Sequence, residues 1–422
     1  MGPFAEDTIG IGDVRIDGVQ FGVADEVDST TGFAVGLMGL GYSYYEASKR
    51  QYPNIPEVLA SSGEIASRLY SVYLNDIGTY QCFPSLSLPK SADAFFTTVE
   101  TSGSVLFGGI DKSKYTGPLV TLNLLPHQLY DEVVTFITTV TALSVTVDSK
   151  ESEMFSGGTD SIDAYNDDGT TLPVLLDTGS AAWSVPEALL EKLLPSFSFL
   201  DEHLQCDCKY RDASTSITLT FGNAINITVP ISSLIVPMYD PMTNEPVPYV
   251  NGANPPQACT FMIVPGEPTQ SGFLTLGDSV LRSMYIVFDL DNGQVSLAQA
   301  AVNSTSGPDI VTVGAGPDGV AKAAAASKIE ANSYSVAVAV SGGETFTASK
   351  VNTAVGTATG IEAVPTDARP IETEAGAGGG ESSAAASSGA AGMVEVPGLD
   401  LHDLGSLAVC GLMMVFGGFL ML

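Results

Sequence analysis

Leu175-Leu176-Asp177-Thr178-Gly179-Ser180 is the stretch on which the reading of this chain turns. The apolar run Leu172-Pro173-Val174-Leu175-Leu176 predicts a strand that carries a carboxylate into a tight Thr-Gly turn, with Asp177 at the strand end among backbone amides. Gly179 lets the chain turn closely, and the hydroxyls of Thr178 and Ser180 are able to hold a nearby carboxylate ionised and oriented. An ordinary strand followed by a polar turn has the same letters. At average residue usage the tetrapeptide arises by chance in roughly one chain in a hundred of this length, so its weight depends on other segments.

Those segments are Gly36-Leu37-Met38-Gly39-Leu40-Gly41, Gly103 to Asp111 followed by Lys114-Tyr115-Thr116-Gly117, Leu274 to Arg282, and Tyr285-Ile286-Val287-Phe288-Asp289. With the Asp177 turn, and in this order, they resemble the pepsin-like aspartic endopeptidases over about residues 5 to 302. The resemblance is particularly to the fungal secreted and wall-anchored branch, the yapsins and candidapepsins. It implies an all-β, bilobal acid-protease fold and the hydrolysis of peptide bonds in an extended peptide or protein, with no cofactor and no metal. In that family two carboxylates a few ångströms apart share one proton, because both cannot ionise; the ionised one draws a proton from the attacking water and the protonated one polarises the peptide carbonyl. Asp177 is then one member of the dyad, Gly179 and Ser180 meet the substrate backbone, and Thr178 and Ser180 support the active-site loops.

Family members have two Asp-Thr/Ser-Gly motifs, one per lobe, and a tyrosine-bearing flap; this sequence has only the second motif. It opens at Met1-Gly2-Pro3-Phe4-Ala5-Glu6-Asp7-Thr8-Ile9, which resembles the strand just beyond the flap. The expectation is a truncated first lobe over residues 1–125, a C-terminal lobe with the catalytic Asp over 126–302, and no activity from the chain alone.

Composition narrows the function further. Acidic residues number 48 against 16 basic ones, for a formal charge of −32. Such a polyanion is unsuited to nucleic acid, whose binding depends on phosphate neutralisation, and suits acidic surroundings. The histidines His127, His203 and His402 are scattered and have no recognisable nucleophile partner, which leaves hydrolase triads unsupported. Five cysteines are too few for a disulfide-dense scaffold, and their spacing is not that of a zinc site. The resemblance implies a second-lobe bridge, Cys206 or Cys208 with Cys259, between which the sequence does not choose. Cys82 has no obvious partner, and Cys410 lies in the apolar tail.

Along the first 125 residues, Ile9-Gly10-Ile11, Val14-Arg15-Ile16 and Val19-Gln20-Phe21 read as half-buried strands, and Glu57 to Leu69 as a helix after Pro56. Val133 to Val147 reads as a strand, Asn166-Asp167-Asp168-Gly169 as a hairpin turn without the acidic spacing of a calcium loop, and Pro186 to Leu194 as a short helix. Trp183 either faces the cleft or packs in the core, and the core is the expected place.

From 303 to 392 the composition shifts to Ala, Gly, Ser, Thr and Val, the signature of a disordered stalk. Residues 393–422 end in an apolar run from Ser406, and with the small residues before it they form the parts of a GPI signal, with attachment at Ser387, Ser388 or Gly389. The run is shorter than a spanning helix requires. A GPI signal needs delivery to the endoplasmic reticulum, yet Met1 to Asp13 has no apolar leader, so a preceding segment is expected. Asn226-Ile227-Thr228 and Asn303-Ser304-Thr305 are glycosylation acceptors in that compartment. The expected product is a monomeric, GPI-anchored, extracellular protein at the cell surface or wall. The competing reading is a noncatalytic surface protein that keeps part of a protease fold. A retroviral-type dimer fits poorly, because this chain carries elements of two different lobes.

Overall fold

In this computed structural model the described residues are 3–24, 36–45, 51–76, 103–126, 132–156, 172–240, 243, 245–250, 255–266 and 274–328, with the backbone alone at 332–339 and 345–352. The hairpin turn at Asn166 to Gly169, Cys82, Cys410, His127, His402 and the attachment candidates Ser387, Ser388 and Gly389 lie outside them.

The chain begins with an antiparallel hairpin, β1 (Phe4–Ile11) and β2 (Val14–Gly22), in which the expected short strands at 14–16 and 19–21 merge into one. Ile16 and Val19 pack against Ile55 and Leu59 of α1 (Ile55–Ser61). A capping box starts α1: Glu57 N donates to Asn54 Oδ1 and Asn54 N to Glu57 Oε2. The expected helix over Glu57 to Leu69 ends at Ser61, because Gly63 takes φ +82 and redirects the chain. Leu69 instead opens β3 (Leu69–Tyr73), and β4 (Ser104–Phe107), β5 (Gly109–Asp111) and β6 (Tyr115–Asn123) follow.

The next stretch is rich in β-branched residues and is mostly strand. It contains β7 (Ile137–Val147), β8 (Lys150–Ser156), β9 (Leu172–Leu176), β10 (Trp183–Val185), α2 (Glu187–Leu193), β11 (Gln205–Asp207), β12 (Thr215–Phe221) and β13 (Ile225–Pro230). Then come α3 (Ile231–Leu234), β14 (Ile235–Pro237), β15 (Ala258–Phe261), β16 (Ile263–Pro265), β17 (Leu274–Leu276), α4 (Asp278–Leu281), β18 (Met284–Asp289) and β19 (Gln294–Ala300). One sheet runs β13-β12-β7-β9-β17, with β8 also on β7. A second runs β6-β19-β18-β3-β4. The all-β expectation holds, and Trp183 is fully buried in the larger core. The division at 125/126 cuts through the second sheet, since β18 and β19 pair with β3 and β6 rather than closing with their own lobe.

Cys208, not Cys206, bridges to Cys259, at a sequence separation of 51. The strand register explains the choice. Phe261 N donates to Leu204 O and Cys208 N to Gln257 O, so the alternating ladder makes Cys206 and Cys259, which face each other, a hydrogen-bonded pair. Such pairs hold their Cβ atoms farther apart than a disulfide favours. Cys206 stays a buried thiol, which burial pushes up to about 12.

The stalk expected from 303 does not begin there. β20 (Ile310–Thr312) pairs with β5, α5 (Gly319–Ala324) follows, and β21 (Ser327–Lys328) extends the second sheet as a parallel neighbour of β6. Val313, Val320 and Ala326 bury against Ile110, Leu119, Tyr285 and Val287. These apolar residues are too widely spaced among Gly, Ala and Ser to show a period in sequence. Beyond them β22 (Asn332–Ala339) and β23 (Thr345–Asn352) form an antiparallel hairpin.

Candidate active site

Asp177 is placed by two parallel strands. β9 and β17 pair in register from Val174↔Leu274 to Leu176↔Leu276, and Asp177 N donates to Leu276 O at 3.2 Å, which carries the pairing one residue past the strand end. The chain then closes on itself: Ser180 N donates to Asp177 O at 3.2 Å, and Gly179 N donates to Asp177 Oδ1 at 2.8 Å. A backbone amide holds the carboxylate, as its expected place among backbone amides implies, and among the described residues neither the Thr178 nor the Ser180 hydroxyl bonds to it. Ser180 Oγ donates instead to Ala182 O, and Thr178 is exposed. Burial raises the Asp177 carboxyl above its ordinary value, and the Gly179 N–H only partly offsets this.

The turn rests on a second element. A Cβ on Gly277 would lie 2.4 Å from both Ser180 O and Ala182 O, so only glycine lets β17 pass this close. Asp278 N then donates to Ser180 O at 2.7 Å and Ser279 N to Ala181 O at 3.1 Å, fixing the turn on the start of α4. Asp278 is 4% exposed. Its Oδ2 lies 3.5 Å from Arg282 Nη2, and its buried Oδ1 has no partner among the described residues. Burial, with the nearby Asp177 charge adding and Arg282 opposing, pushes the Asp278 carboxyl up to about 7. From the sequence, residues 274–282 support only the family resemblance; their role in the site was missed. The signal available was a Gly-Asp directly after Leu274-Thr275-Leu276, a short strand-like triplet.

The remaining candidates lie apart in the chain. Asn226 is exposed on β13, with its Oδ1 accepting from Thr220 Oγ1, and Asn303 is exposed with its Nδ2 3.3 Å from Asp76 Oδ2. His203 is exposed beside Glu202. Among the described residues no helix is long and apolar enough to cross a membrane.

Comparison with known proteins gives a consistent result. The model of the eukaryotic aspartyl protease family matches residues 1–83 and 91–300. A probable aspartic-type endopeptidase, opsB of Aspergillus oryzae, is 31% identical over 76% of this chain and 57% of its own length. Yapsin-3, an aspartic proteinase of Saccharomyces cerevisiae, is 31% identical over 85% of this chain and 62% of its own. Secreted aspartic protease 9 of Candida albicans is 30% identical over 75% and 49%. The chain thus spans about half to three-fifths of the length of these relatives. The crystal structure of an aspartic proteinase from Irpex lacteus overlays with a TM-score of 0.49 at 18% identity, over 72% of this chain and 79% of that one.

Proposed function

Because the chain belongs to the eukaryotic aspartyl protease family, we propose that it supplies the Asp177 half of an acid endopeptidase acting on extended peptides or proteins. The observation that carries this is Asp177 itself: a carboxyl raised by burial, held by the Gly179 amide, on a turn fixed between two parallel strands. In the proposed reaction Asp177 shares one proton with a second carboxylate. The ionised member of the pair takes a proton from the attacking water as the protonated member polarises the scissile carbonyl. Gly179 and Ser180 meet the substrate backbone. The second carboxylate lies outside these 422 residues, a reading supported by the single Asp-Thr-Gly-Ser and by the greater length of the relatives.

The test is acid-pH cleavage of a peptide by the protein with its preceding coding sequence included. Turnover should rise and then fall with pH, be blocked by a pepstatin-type inhibitor and be lost in Asp177→Asn. A second reading, a noncatalytic wall protein, is favoured by the single motif; a preceding frame with no further Asp-Thr/Ser-Gly, or activity indifferent to Asp177→Asn, would establish it in place of the first.

The proposal extends to location. GPI anchoring at the cell surface is supported by the small-residue and apolar tail, and secretion by the two sequons and by the printed name of the Candida relative, a secreted aspartic protease. Deletion of residues 406–422 should release the protein into the medium; unchanged surface retention would count against the anchor.

A further inference from the structure

Arg282 reaches from α4, on which the Asp177 turn rests, to the end of β3. It ends α4, is 4% exposed, and directs Nη2 to Asp278 while Nη1 donates to the carbonyls of Leu74 and Asn75 at 3.3 and 3.4 Å. Those carbonyls lie just past the end of β3, in the half of the fold that does not carry Asp177. The receiving end is itself fixed. Asn75 adopts φ +57, which asparagine tolerates, and its Oδ1 accepts from Tyr73 Oη and from Asn303 N at 2.7 Å each.

We propose that Arg282, acting with Asp278, is a positioning residue that sets where the Asp177 turn stands relative to the end of β3. The path is short. The guanidinium grips Asp278 and the β3 carbonyls at once; Asp278 N holds Ser180 O; Ser180 N holds Asp177 O. Arginine suits this use because its planar fork offers several donors in fixed directions, which lysine does not. Net stabilisation is a poor explanation for the pair. Burying a guanidinium against a carboxyl costs desolvation that well-packed apolar side chains would avoid, and here Asp278 Oδ1 is left without a partner among the described residues. Placement explains it better: if the second carboxylate of a dyad belongs to the other half of the molecule, a misplacement of about 1 Å costs on the order of a hundredfold in rate.

The chemical meaning of this device rests on the peptidase reading, but its geometry does not, so the first readout is amide hydrogen exchange on the full chain. Arg282→Gln should speed exchange about tenfold at Gly179 and Ser180 and at residues 74–76, and leave β12 and β13 unchanged. Arg282→Lys should loosen the same two places to a lesser degree, and it decides the matter if the glutamine variant fails to fold. Exchange that is unchanged at Gly179 and Ser180, or that rises equally across both sheets, would overturn the proposal. In the protein that cleaves peptide, Arg282→Lys should lower kcat about tenfold with KM held; a rise in KM alone would also overturn it. Absence of turnover in the unsubstituted protein would count against the peptidase reading and leave the exchange result to judge Arg282.

Discussion

The hairpins β12–β13 and β1–β2 are both antiparallel ribbons with alternating apolar residues, and they end in different surroundings. Ile217, Leu219, Phe221, Ile225, Ile227 and Val229 all enter the main core, none more than 6% exposed. In β1–β2 only Ile16 and Val19 are buried, on Ile55 and Leu59 of α1, while Phe4 is 49% exposed and Phe21 37%. Leu37 and Met38 nearby are likewise exposed. Alternation sets which residues share a face. It does not supply the second layer that makes a face a core.

The largest expected effect follows from that contrast. Leu219→Ala should destabilise the fold by about 3 to 5 kcal/mol, since a buried cavity adds to the lost transfer energy, and Leu59→Ala by about 2. Equal losses by denaturant unfolding would erase the distinction between the two clusters. Next in size is Cys208→Ser, which should cost about 2 to 4 kcal/mol by releasing a long loop on the main-core side. A peptide map showing Cys206 bridged to Cys259 in the unsubstituted protein would contradict the register argument.

Much of the site was legible in sequence because it is local. The run Leu172 to Leu176 is short and apolar, as a buried strand is, and Asp177-Thr178-Gly179 marks its end. The second half of the site depends on a contact nearly a hundred residues away, where Gly277 meets the Ser180 and Ala182 carbonyls, and spacing along the chain cannot show that. The disulfide choice and the packed segment 303–328 were hidden for a similar reason. The first is decided by which ladder pair is hydrogen bonded. The second depends on a few isolated residues, Val313, Val320 and Ala326, meeting a sheet built elsewhere. At Glu57 to Leu69 the helical pattern outweighed Gly63, and the glycine prevailed.

A smaller effect concerns pH. Burial raises Asp278 to about 7 and Asp289 to about 6, so the native state binds protons that the unfolded state has released. Their contribution to stability is fully present below the ordinary value of 3.8 and is lost as pH rises through about 6 and about 7. Asp111, Asp207 and Asp291 are lowered instead, so theirs is present above 3.8 and lost as pH falls through their native values. The melting temperature should therefore be highest near pH 4, fall between about pH 4 and 7, and level off above. Asp278→Asn should flatten that fall between about pH 4 and 7; an unchanged slope would show that Asp278 does not titrate there. Smallest of all, Leu37→Ser on the exposed stretch should shift stability by no more than about 0.5 kcal/mol, and a larger loss would mean that Leu37 is covered in solution.

Asp177 is proposed to work only against a second carboxylate from outside these 422 residues, and peptide turnover by the purified 422-residue chain between pH 3 and 6 tests this. No turnover above background is expected, for this chain and for Asp177→Asn alike. Turnover by the chain that disappears in Asp177→Asn would contradict it.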